Sequence, residues 1–465
     1  MGMSKHYTKQ ERRIDIEFRP SNRATAHGGQ FGMNGLAHEF GLWDRVKKDR
    51  RLDPRTHCGK GFDPCVYVAA FIFSFTSGGD SLADAGRLDD DDSLKAILGI
   101  EKFPDETALG EWLRNIGDEG AAALREIVQE FVQWALGRAK SERLLHAGQL
   151  ESFFDDTQLE VSGQCFEGAK LNYAGKVALS WQTLWVGPFV VDGVVGSPAD
   201  HKEPLSSGET GNDVSAWLPE MIERNKHLWA GQTSYLYADS ASSAGKYLEA
   251  IEEGFDQYTV SYNRWTRALD RNASLLPEVA WSKEQIIRWR DGHDHLTQYA
   301  RLRYRPAGCE KNKLYAVCRH RRADGELFWN YNFVACDPSR TEGPAEAIFE
   351  RHRLKGDYER RFGELLIDLG LHHPPCKSLA ANNVYYQLGM LAFNMLQAMK
   401  LLYLPDEHQP KRVRTIIHHL LLIPVEIKRH ARQLKAVCFV AAGWIQWWRD
   451  FLHELVPAYR LLGCT

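Results

Sequence analysis

Apolar residues recur every three or four positions through the first part of the chain, after a short basic segment. Residues 1 to about 30 combine basic side chains with glycines, and we interpret them as an arm. Residues 31–145 show the spacing of helices that bury one face, most clearly at Val66–Phe75 and Ala121–Leu136. This part of the chain is therefore predicted to be helical.

The periodicity changes at Glu151. Phe153–Val161 alternates with a period of two, which is typical of a strand with one buried face. Strand-like and helix-like runs then follow one another, which predicts a mixed α/β sheet. The predicted strands are Val177–Val186, Pro188–Val195, Ser234–Ala238 and Gln257–Tyr262, and the predicted helices are Val214–Lys226 and Ala244–Glu253.

Residues 264–340 differ from both flanks, because short β-like runs and scattered tryptophans replace the regular alternation. Leu314–Arg319 and Leu327–Val334 are examples, and we interpret the segment as a β-rich insertion. Helical periodicity returns at Pro344–Leu369 and Leu379–Leu404 and continues to the C-terminus. The predicted organisation is a helical N-terminal domain with its arm (1–145), the first part of an α/β core (146–263), the insertion (264–340), the second part of the core (341–404) and a helical C-terminal region (405–465).

The formal net charge of −3 over 465 residues would by itself argue against a nucleic-acid partner. The charge is unevenly distributed, however. The first 60 residues are basic, residues 151–260 are acidic, and residues 264–340 and 400–435 are basic again. Such a layout suits a protein that binds a polyanion at its edges and holds cations at its centre, although patchy charge is also common in large proteins.

The nine cysteines include no CxxC pair and are odd in number, so neither a zinc ribbon nor a disulfide framework is expected. A reducing cytoplasm fits this pattern. Of the two most apolar stretches, Tyr385–Leu404 contains several polar residues and Ala436–Trp448 is too short to span a bilayer. We therefore predict buried helices, a cytoplasmic protein and no membrane partner.

The first candidate ligand of a cation is Asp155. Hard divalent cations prefer carboxylate oxygens, and a pair of them about 4 Å apart can serve both the nucleophile and the leaving oxygen of phosphodiester chemistry. Asp155 lies inside the first predicted strand of the core, where an isolated carboxylate is costly unless it is paired. Its neighbour Asp156 points to the opposite face, because side chains alternate along a strand.

The second candidate is Asp239, which follows the predicted strand Ser234–Ala238 directly. Ligands of α/β sheets commonly bind at the carboxyl ends of strands, which favours a role for Asp239 in a site. An Asp at this position could equally cap the start of the next helix, so both interpretations stay open.

The third candidate, Glu359, lies on the predicted helix Pro344–Leu369, about 100° around the axis from Tyr358. Lys355 precedes it by one turn on the same side. The alternative is an exposed Lys355–Glu359 pair, which would contribute only a few tenths of a kcal/mol. The apolar stripe that would pack this helix consists of Tyr358, Phe362, Leu365 and Leu369.

The segments around these acids resemble the DDE transposases of bacterial insertion sequences, and specifically the insertion sequence 1380 family. Phe154–Gly163 resembles the family's first block, in which an Asp precedes a small residue, a Thr or Ser, a β run and a Gly; this resemblance selects Asp155 over Asp156. Tyr237–Ser240 resembles the second block, an Asp-Ser at a strand end. Further likeness at residues 78–82, 104–107 and 375–399 extends it over most of the chain.

The third block departs from the pattern. The run His352-x2-Lys355-x3-Glu359-x6-Leu366 resembles the signature Tyr-x2-Arg-x3-Glu-x6-Lys of related transposases. The Glu is kept, whereas His, Lys and Leu replace the Tyr, Arg and Lys. A lysine can still neutralise a phosphate as a point charge, but it lacks the fork of arginine. The departures therefore concern phosphate contacts and leave the three carboxylates intact.

The resemblance implies an RNase H-like catalytic core that cuts and joins DNA with Asp155, Asp239 and Glu359 as catalytic, metal-binding residues. Two Mg²⁺ ions are expected, for which Mn²⁺ can substitute. The implied partner is double-stranded DNA of the bacterial nucleoid, both as terminal inverted repeats and as target, and a homodimer or larger complex would hold two ends together. Residues expected to contact DNA are Lys355, Arg360 and Arg361, and a flipped base could stack on Trp265, Trp281, Trp289 or Trp329 unless these rings only pack.

Two other functions stay open. An RNase H-like nuclease would cut DNA without joining it, and a descendant of a transposase could bind DNA without catalysis. Retention of all three carboxylates argues against the second alternative. A glycosidase with paired carboxylates has no supporting motif in the sequence.

Overall fold

One mixed sheet of ten strands forms the centre of the fold. The computed structural model describes residues 23–55, 61–162, 165–172, 174–198, 217–262, 267–430 and 433–440, with the single residues 442, 445 and 448. The strands are β1 (Ala24–Thr25), β2 (Leu150–Glu160), β3 (Lys170–Leu171), β4 (Val177–Val186), β5 (Phe189–Gly196), β6 (Ser234–Ala238), β7 (Gln257–Ser261), β8 (Gln285–Arg288), β9 (Asp294–Tyr304), β10 (Lys313–Arg322), β11 (Asn330–Cys336), β12 (Val425–His430) and β13 (Gln433–Cys438). The order in the central sheet is β3–β4–β2–β6–β7–β11–β10–β9–β8, and β5 also pairs with β4.

Helices precede, connect and follow these strands. They are α1 (Gln30–Phe40), α2 (Leu42–Lys48), α3 (Pro64–Phe75), α4 (Leu82–Arg87), α5 (Asp92–Leu98), α6 (Glu106–Leu136), α7 (Ser141–Leu144), α8 (Leu218–Asn225), α9 (Gly245–Gly254), α10 (Arg267–Ser274), α11 (Glu346–Arg353), α12 (Lys355–Gly363), α13 (Leu379–Tyr403) and α14 (Val413–Ile416). Helix α12 continues into a π-helical turn at Glu364–Asp368. The helical periodicity of residues 31–145 is confirmed by α1 to α7.

The predicted mixed α/β sheet is confirmed in the five strands around β2. Strand β2 runs parallel to β6, and β6 runs parallel to β7 across the connection formed by α9. Strand β4 is antiparallel to β2 and forms a hairpin with β5. Nearly every residue of β4 is buried, as expected for a strand that is covered on both faces.

Helix α13 covers the free edge of β5 with side-chain amides. Asn383 accepts a hydrogen bond from the Val195 amide and donates one to its carbonyl, both at 2.9 Å. Asn394 makes the same pair with Val190, at 3.0 and 2.7 Å. Because a buried strand edge needs partners for its backbone groups, these contacts explain the polar residues within this apolar helix. No helix in the described parts of the chain has the length and apolar character needed to cross a membrane.

The segment interpreted as a β-rich insertion does consist mainly of strands, but they extend the central sheet. Strand β11 pairs antiparallel with β7, and β10, β9 and β8 follow outward from it. The pairing satisfies backbone groups along the edge of β7 that would otherwise be open. The strands between residues 285 and 336 therefore continue the sheet rather than form a separate one.

The prediction of a helical C-terminal region, 405–465, is wrong for its middle part. Strands β12 and β13 form a hairpin there, and β12 also pairs with β1. Val425 and Ile427 are buried and alternate with polar neighbours, which is the period of a strand rather than of a helix. The predicted helix Ala436–Trp448 begins within β13, and half of the ten residues that follow β13 in it lie outside the described residues.

Candidate active site

Asp155 and Asp239 lie side by side on neighbouring strands. The parallel register of β2 and β6 pairs Phe154 with Ala238, so the two aspartates, one residue further on, stand at the same level. Asp239 also accepts a hydrogen bond from the Ala241 amide at 2.9 Å, so it caps the short 3₁₀ turn that follows β6. Capping and a place at the strand end, which the sequence offered as alternatives, are therefore both present.

Helix α12 packs across the face of the sheet that carries Asp155. The Tyr358 ring lies 5.3 Å from the Phe153 ring and 5.9 Å from the Tyr237 ring, measured between centroids. Since side chains alternate along a strand, Phe153 and Asp155 share this face. The predicted helix Pro344–Leu369 is divided at Leu354 into α11 and α12. The predicted apolar stripe is confirmed, because each of its members is buried: Tyr358, Phe362, Leu365 and Leu369.

The ammonium of Lys355 is close enough to the carboxylates of this face for them to shift its pKa. Burial alone would lower the pKa of Lys355, but Asp155, Asp239 and Glu359 together raise it. Burial raises the pKa of Asp155 to about 7, against the opposing effect of Lys355, and Asp239 adds to the rise. The site thus holds more negative charge than one ammonium neutralises.

Glu359 reaches the same ammonium from the solvent side. Its Oε1 atom lies 3.1 Å from Lys355 Nζ, and 56% of its side chain is exposed, compared with 14% for Lys355. Glu359 therefore forms the Lys355–Glu359 pair that the sequence offered as an alternative, while Asp155 and Asp239 act on the same ammonium electrostatically. We call Asp155, Asp239, Lys355 and Glu359 the upper cluster. Within the described ranges, no three His, Cys, Asp or Glu side chains are grouped closely enough to hold a metal ion.

Strand β7 places a third polar residue beside the two aspartates. The register of β6 and β7 pairs Ala238 with Val260, which places Ser261 beside Asp239. The Ser261 hydroxyl lies 2.7 Å from Nε2 of His352, and the Thr259 hydroxyl lies 3.1 Å from Nδ1. Burial and, to a lesser degree, Lys355 lower the pKa of His352 to about 4, while Glu359 opposes the shift. The sequence marked this histidine only as a departure from a signature; its contacts were not predicted.

A second buried network, also not predicted, lies at the other end of the same strands. Glu151 accepts hydrogen bonds from the hydroxyls of Tyr237 at 2.8 Å and Tyr358 at 3.1 Å, and it pairs with Arg351 at 2.8 Å. His146 Nδ1 lies 2.9 Å from the same carboxylate. We call Glu151, Tyr237, Arg351 and Tyr358 the lower network. Its carboxylate is fully provided with donors.

A comparison with protein families identifies the family of this chain. The family model described as transposase DDE domain, group 1, matches residues 7–455. The chain belongs to this family. A transposase family implies DNA as the partner, and its members generally use divalent metal ions. No curated protein matches the chain in sequence.

In this transposase-family chain, the two other predicted DNA-contacting residues lie on the far side of α12 from Lys355. The Arg361 guanidinium donates to the Gly187 carbonyl at 3.0 Å and lies 4.7 Å from the centre of the Tyr358 ring. Arg360 is exposed. Both arginines line a cavity of about 390 Å³ between α12 and α13.

The four tryptophans proposed to stack on a base have different surroundings. Trp265 lies outside the described residues. Trp281 is buried, with its ring 4.3 Å from the guanidinium carbon of Arg319. Trp289 stacks on a histidine of β10 at 3.7 Å between ring centroids. Trp329 is partly exposed, as is Trp289, and lies 4.5 Å from the same Arg319 carbon.

Asp156 provides a comparison with the chosen aspartate. Burial raises its pKa to about 7, and hydrogen bonds from Ser180 and Gln158 oppose the rise. Its carboxylate therefore already has two side-chain donors. Asp155, by contrast, depends on Lys355 for its countercharge, which leaves it the more available of the two for a ligand.

Proposed function

We propose that the protein is a DDE transposase that binds the inverted ends of an insertion sequence, cuts the DNA there and joins it to a target. Asp155, Asp239 and Glu359 are the proposed catalytic residues. The observation that carries this proposal is the position of Asp155 and Asp239, which stand at the same level of two adjacent parallel strands. Helix α12 lies above them, and its Lys355, whose pKa both aspartates raise, pairs with Glu359. A carboxylate set of this kind suits phosphodiester chemistry.

The order of the strands supports an RNase H-like core for this enzyme. The five strands β5–β4–β2–β6–β7 form a mixed unit in which Asp155 lies within the central strand β2 and Asp239 directly follows the end of its parallel neighbour β6. The motifs around Asp155, Asp239 and Glu359 further support membership of the insertion sequence 1380 family. In this proposal β8 to β11 extend the core toward bound DNA.

Divalent cations, Mg²⁺ or Mn²⁺, would be held by Asp155, Asp239 and Glu359. The donor set fits in its chemistry, because carboxylate oxygens suit hard cations and the pKa of Asp155 is raised in a site with excess negative charge. When bound, such ions lower the pKa of a water or hydroxyl nucleophile and stabilise the charge on a leaving oxygen. Lys355 supplies part of this positive charge in their absence.

The chain's own residues have separate tasks in this scheme. Lys355 can neutralise a phosphate oxygen near the carboxylates as a point charge. His352, kept neutral by burial, orients the Ser261 hydroxyl at the end of β7. Trp329, held against Arg319, offers a ring on which a displaced base can stack. The basic N-terminal part would hold the inverted repeats, and joining two ends requires at least a dimer.

The test is cleavage and joining of a DNA fragment that carries the element's end, in Mg²⁺ or Mn²⁺. Asp155→Ala, Asp239→Ala and Glu359→Ala should bind the fragment as the wild type does but give no cut product. Glu350→Ala is the matched control, because Glu350 is an exposed acid on α11. Asp156→Ala should retain activity if Asp155 is the correct choice.

The outcomes separate the alternatives. Cutting without joining would make the protein a nuclease of the same fold. Specific binding with no cutting in either metal would identify a non-catalytic descendant of a transposase. Loss of cutting in Glu350→Ala to the same extent as in Glu359→Ala would remove the case for the third carboxylate.

A further inference from the structure

The cavity between α12 and α13 brings together cationic side chains from distant parts of the chain. Its volume is about 390 Å³. Its floor includes Glu151, which is four residues before Asp155 on β2, or about 13 Å along the strand. The cavity is therefore separate from the upper cluster. The charged and amide side chains that matter here are Arg143, Arg360, Arg361, Glu364, Gln397 and Lys400, and we call this set the cationic cavity.

Three of these side chains have hydrogen-bond donors to spare. Lys400 is 7% exposed, and its ammonium makes one hydrogen bond, to the Lys411 carbonyl at 2.6 Å, so two of its three donors are left. Gln397 is 5% exposed and Arg360 lies at the rim, and neither side chain has a hydrogen-bond partner within the described part of the chain. For the two largely buried side chains, Lys400 and Gln397, such spare donors are unusual.

The acceptors of the cavity are largely committed elsewhere. One oxygen of Glu364 accepts from the Val413 amide at 3.0 Å. Arg143 donates to the carbonyls of Leu401 and Leu404 and to Asp406, at 2.7, 3.1 and 2.6 Å, so it fixes the end of α13. The remaining positive charge of Lys400, Arg360 and Arg361 faces the cavity beside two carboxylates, Glu364 and Glu151, and Glu151 is already paired with Arg351.

The mutual repulsion of these cations affects the pKa of Lys400. Burial lowers the pKa of Lys400 to about 8; Glu364 opposes the shift, and Arg361 and Arg360 add to it. An anion placed between them would relieve the repulsion and return the pKa of Lys400 toward its ordinary value. Packing alone does not require three cations to converge on a space that can hold a ligand.

We propose that the cationic cavity binds a phosphate group, held by Arg360, Gln397 and Lys400. A phosphate offers several acceptor oxygens and at least one negative charge, which matches a guanidinium, an amide and an ammonium that all have donors left. The group can belong to the backbone of DNA or to a free phosphate or phosphate ester. The first source rests on the proposed function, whereas the second does not.

The first experiment follows the Tm of the full chain without divalent cations, as inorganic phosphate is titrated against sodium chloride of equal ionic strength. A saturable rise is expected, because a ligand that binds only the native state stabilises it. In Arg360→Gln the same rise should need about tenfold more phosphate, as one charge-assisted hydrogen bond is lost. Arg353→Gln is the control, since Arg353 is also exposed, lies on α11 and does not line the cavity.

Two results would overturn the proposal. The Tm of the wild type could follow ionic strength alone, or Arg360→Gln and Arg353→Gln could respond to phosphate alike. Lys400→Gln tests the buried cation of the cavity in the same way. If Lys400→Gln does not fold, the result for Arg360→Gln still decides the question.

A DNA titration then identifies the source of the phosphate. For a backbone phosphate, Arg360→Gln should reduce the slope of log affinity against log salt concentration by about one, and Arg353→Gln should change it less. If the salt slopes of Arg360→Gln and Arg353→Gln are equal, while phosphate still raises the Tm of the wild type saturably, the site binds a free phosphate or phosphate ester. A chain that binds phosphate but never cuts DNA would contradict the proposed function and leave this site in place.

Discussion

The upper cluster and the lower network lie on the same face of the sheet and are built from the same parts. Each has a carboxylate of β2, a residue in or directly after β6, and a cation from the helices above. The carboxylates, Asp155 and Glu151, are four residues apart on one strand. They differ in how far their charge is satisfied. Glu151 has two tyrosine hydroxyls and a guanidinium as donors, whereas the nearby cation of Asp155 is Lys355, which pairs directly with Glu359.

This difference separates a structural role from a functional one. A buried carboxylate with a full set of donors holds its elements together, and it gains nothing from a ligand. A buried carboxylate that lacks donors costs stability unless a cation arrives. The upper cluster therefore has the properties of a site that waits for a ligand, and the lower network positions the helix above it.

The largest expected effect is at the lower network. Glu151→Gln leaves the guanidinium of Arg351 largely buried without its ion-pair partner, so the free energy of unfolding should fall by about 3–5 kcal/mol. Urea denaturation at pH 7 measures it. Glu160→Gln is the matched control on the same strand, because Glu160 is exposed and its pair with Lys176 should contribute less than about 1 kcal/mol. Equal losses in the two variants would mean that the network does not stabilise the fold.

The next largest effect, at the upper cluster, is a gain in stability rather than a loss. The pKa of Asp155 is raised by burial to about 7 in the folded state, from 3.8 in the unfolded chain. The native state therefore binds the proton more tightly, and wild-type stability falls as the pH rises from about 4 to about 7. Asp155→Asn removes this cost. Without divalent cations, it should be more stable than the wild type by about 1–3 kcal/mol at pH 8 and little different at pH 4.

Thermal unfolding of both proteins at the two pH values, with a chelator present, is the measurement. Asp156 is present in both proteins, so the difference between them reports mainly on Asp155. A variant that is less stable than the wild type at pH 8 would contradict the proposal that the upper cluster carries an unsatisfied charge.

The sequence was sufficient to place the two aspartates, because local rules govern them. A period of two locates Asp155 on a strand, and the end of a short apolar run locates Asp239. Parallel pairing of adjacent strands then brings them to one level. The stripe of α12 followed from its helical period in the same way.

Features that depend on distant partners could not be predicted. The donors of Glu151 come from residues 237, 351 and 358, and no local period encodes those separations. The hairpin β12–β13 pairs with Ala24–Thr25 at the other end of the chain. The strands of residues 264–340 were expected from their composition, but their attachment to β7 depends on a pairing that composition does not specify.

A smaller effect is expected from His352, at the edge of the upper cluster. Its pKa is lowered to about 4 in the folded state, so the unfolded chain binds the proton more readily below about pH 6.5. Stability from this group is complete above that pH and is lost as the pH falls toward 4. His352→Gln should remove about 1–2 kcal/mol of the acid-dependent loss between pH 6.5 and 4.5. Identical pH profiles for the two proteins would show that the imidazole is not held neutral.

The smallest effects come from exchanging the two cations. Arg351 pairs with Glu151, donates to Gln149 at 2.9 Å and lies 4.5 Å from the Tyr235 ring, so Arg351→Lys should cost about 1–2 kcal/mol in urea denaturation. Lys355→Arg should change the free energy of unfolding by only a few tenths of a kcal/mol. The reason is that Lys355 acts as a point charge, so the directional donors of a guanidinium are not required. The same variant restores the arginine of the related signature, and it should bind DNA at least as well as the wild type. A larger loss for Lys355→Arg than for Arg351→Lys would reverse the assignment, since the upper cluster would then be the specific structural contact and the lower network the adaptable one.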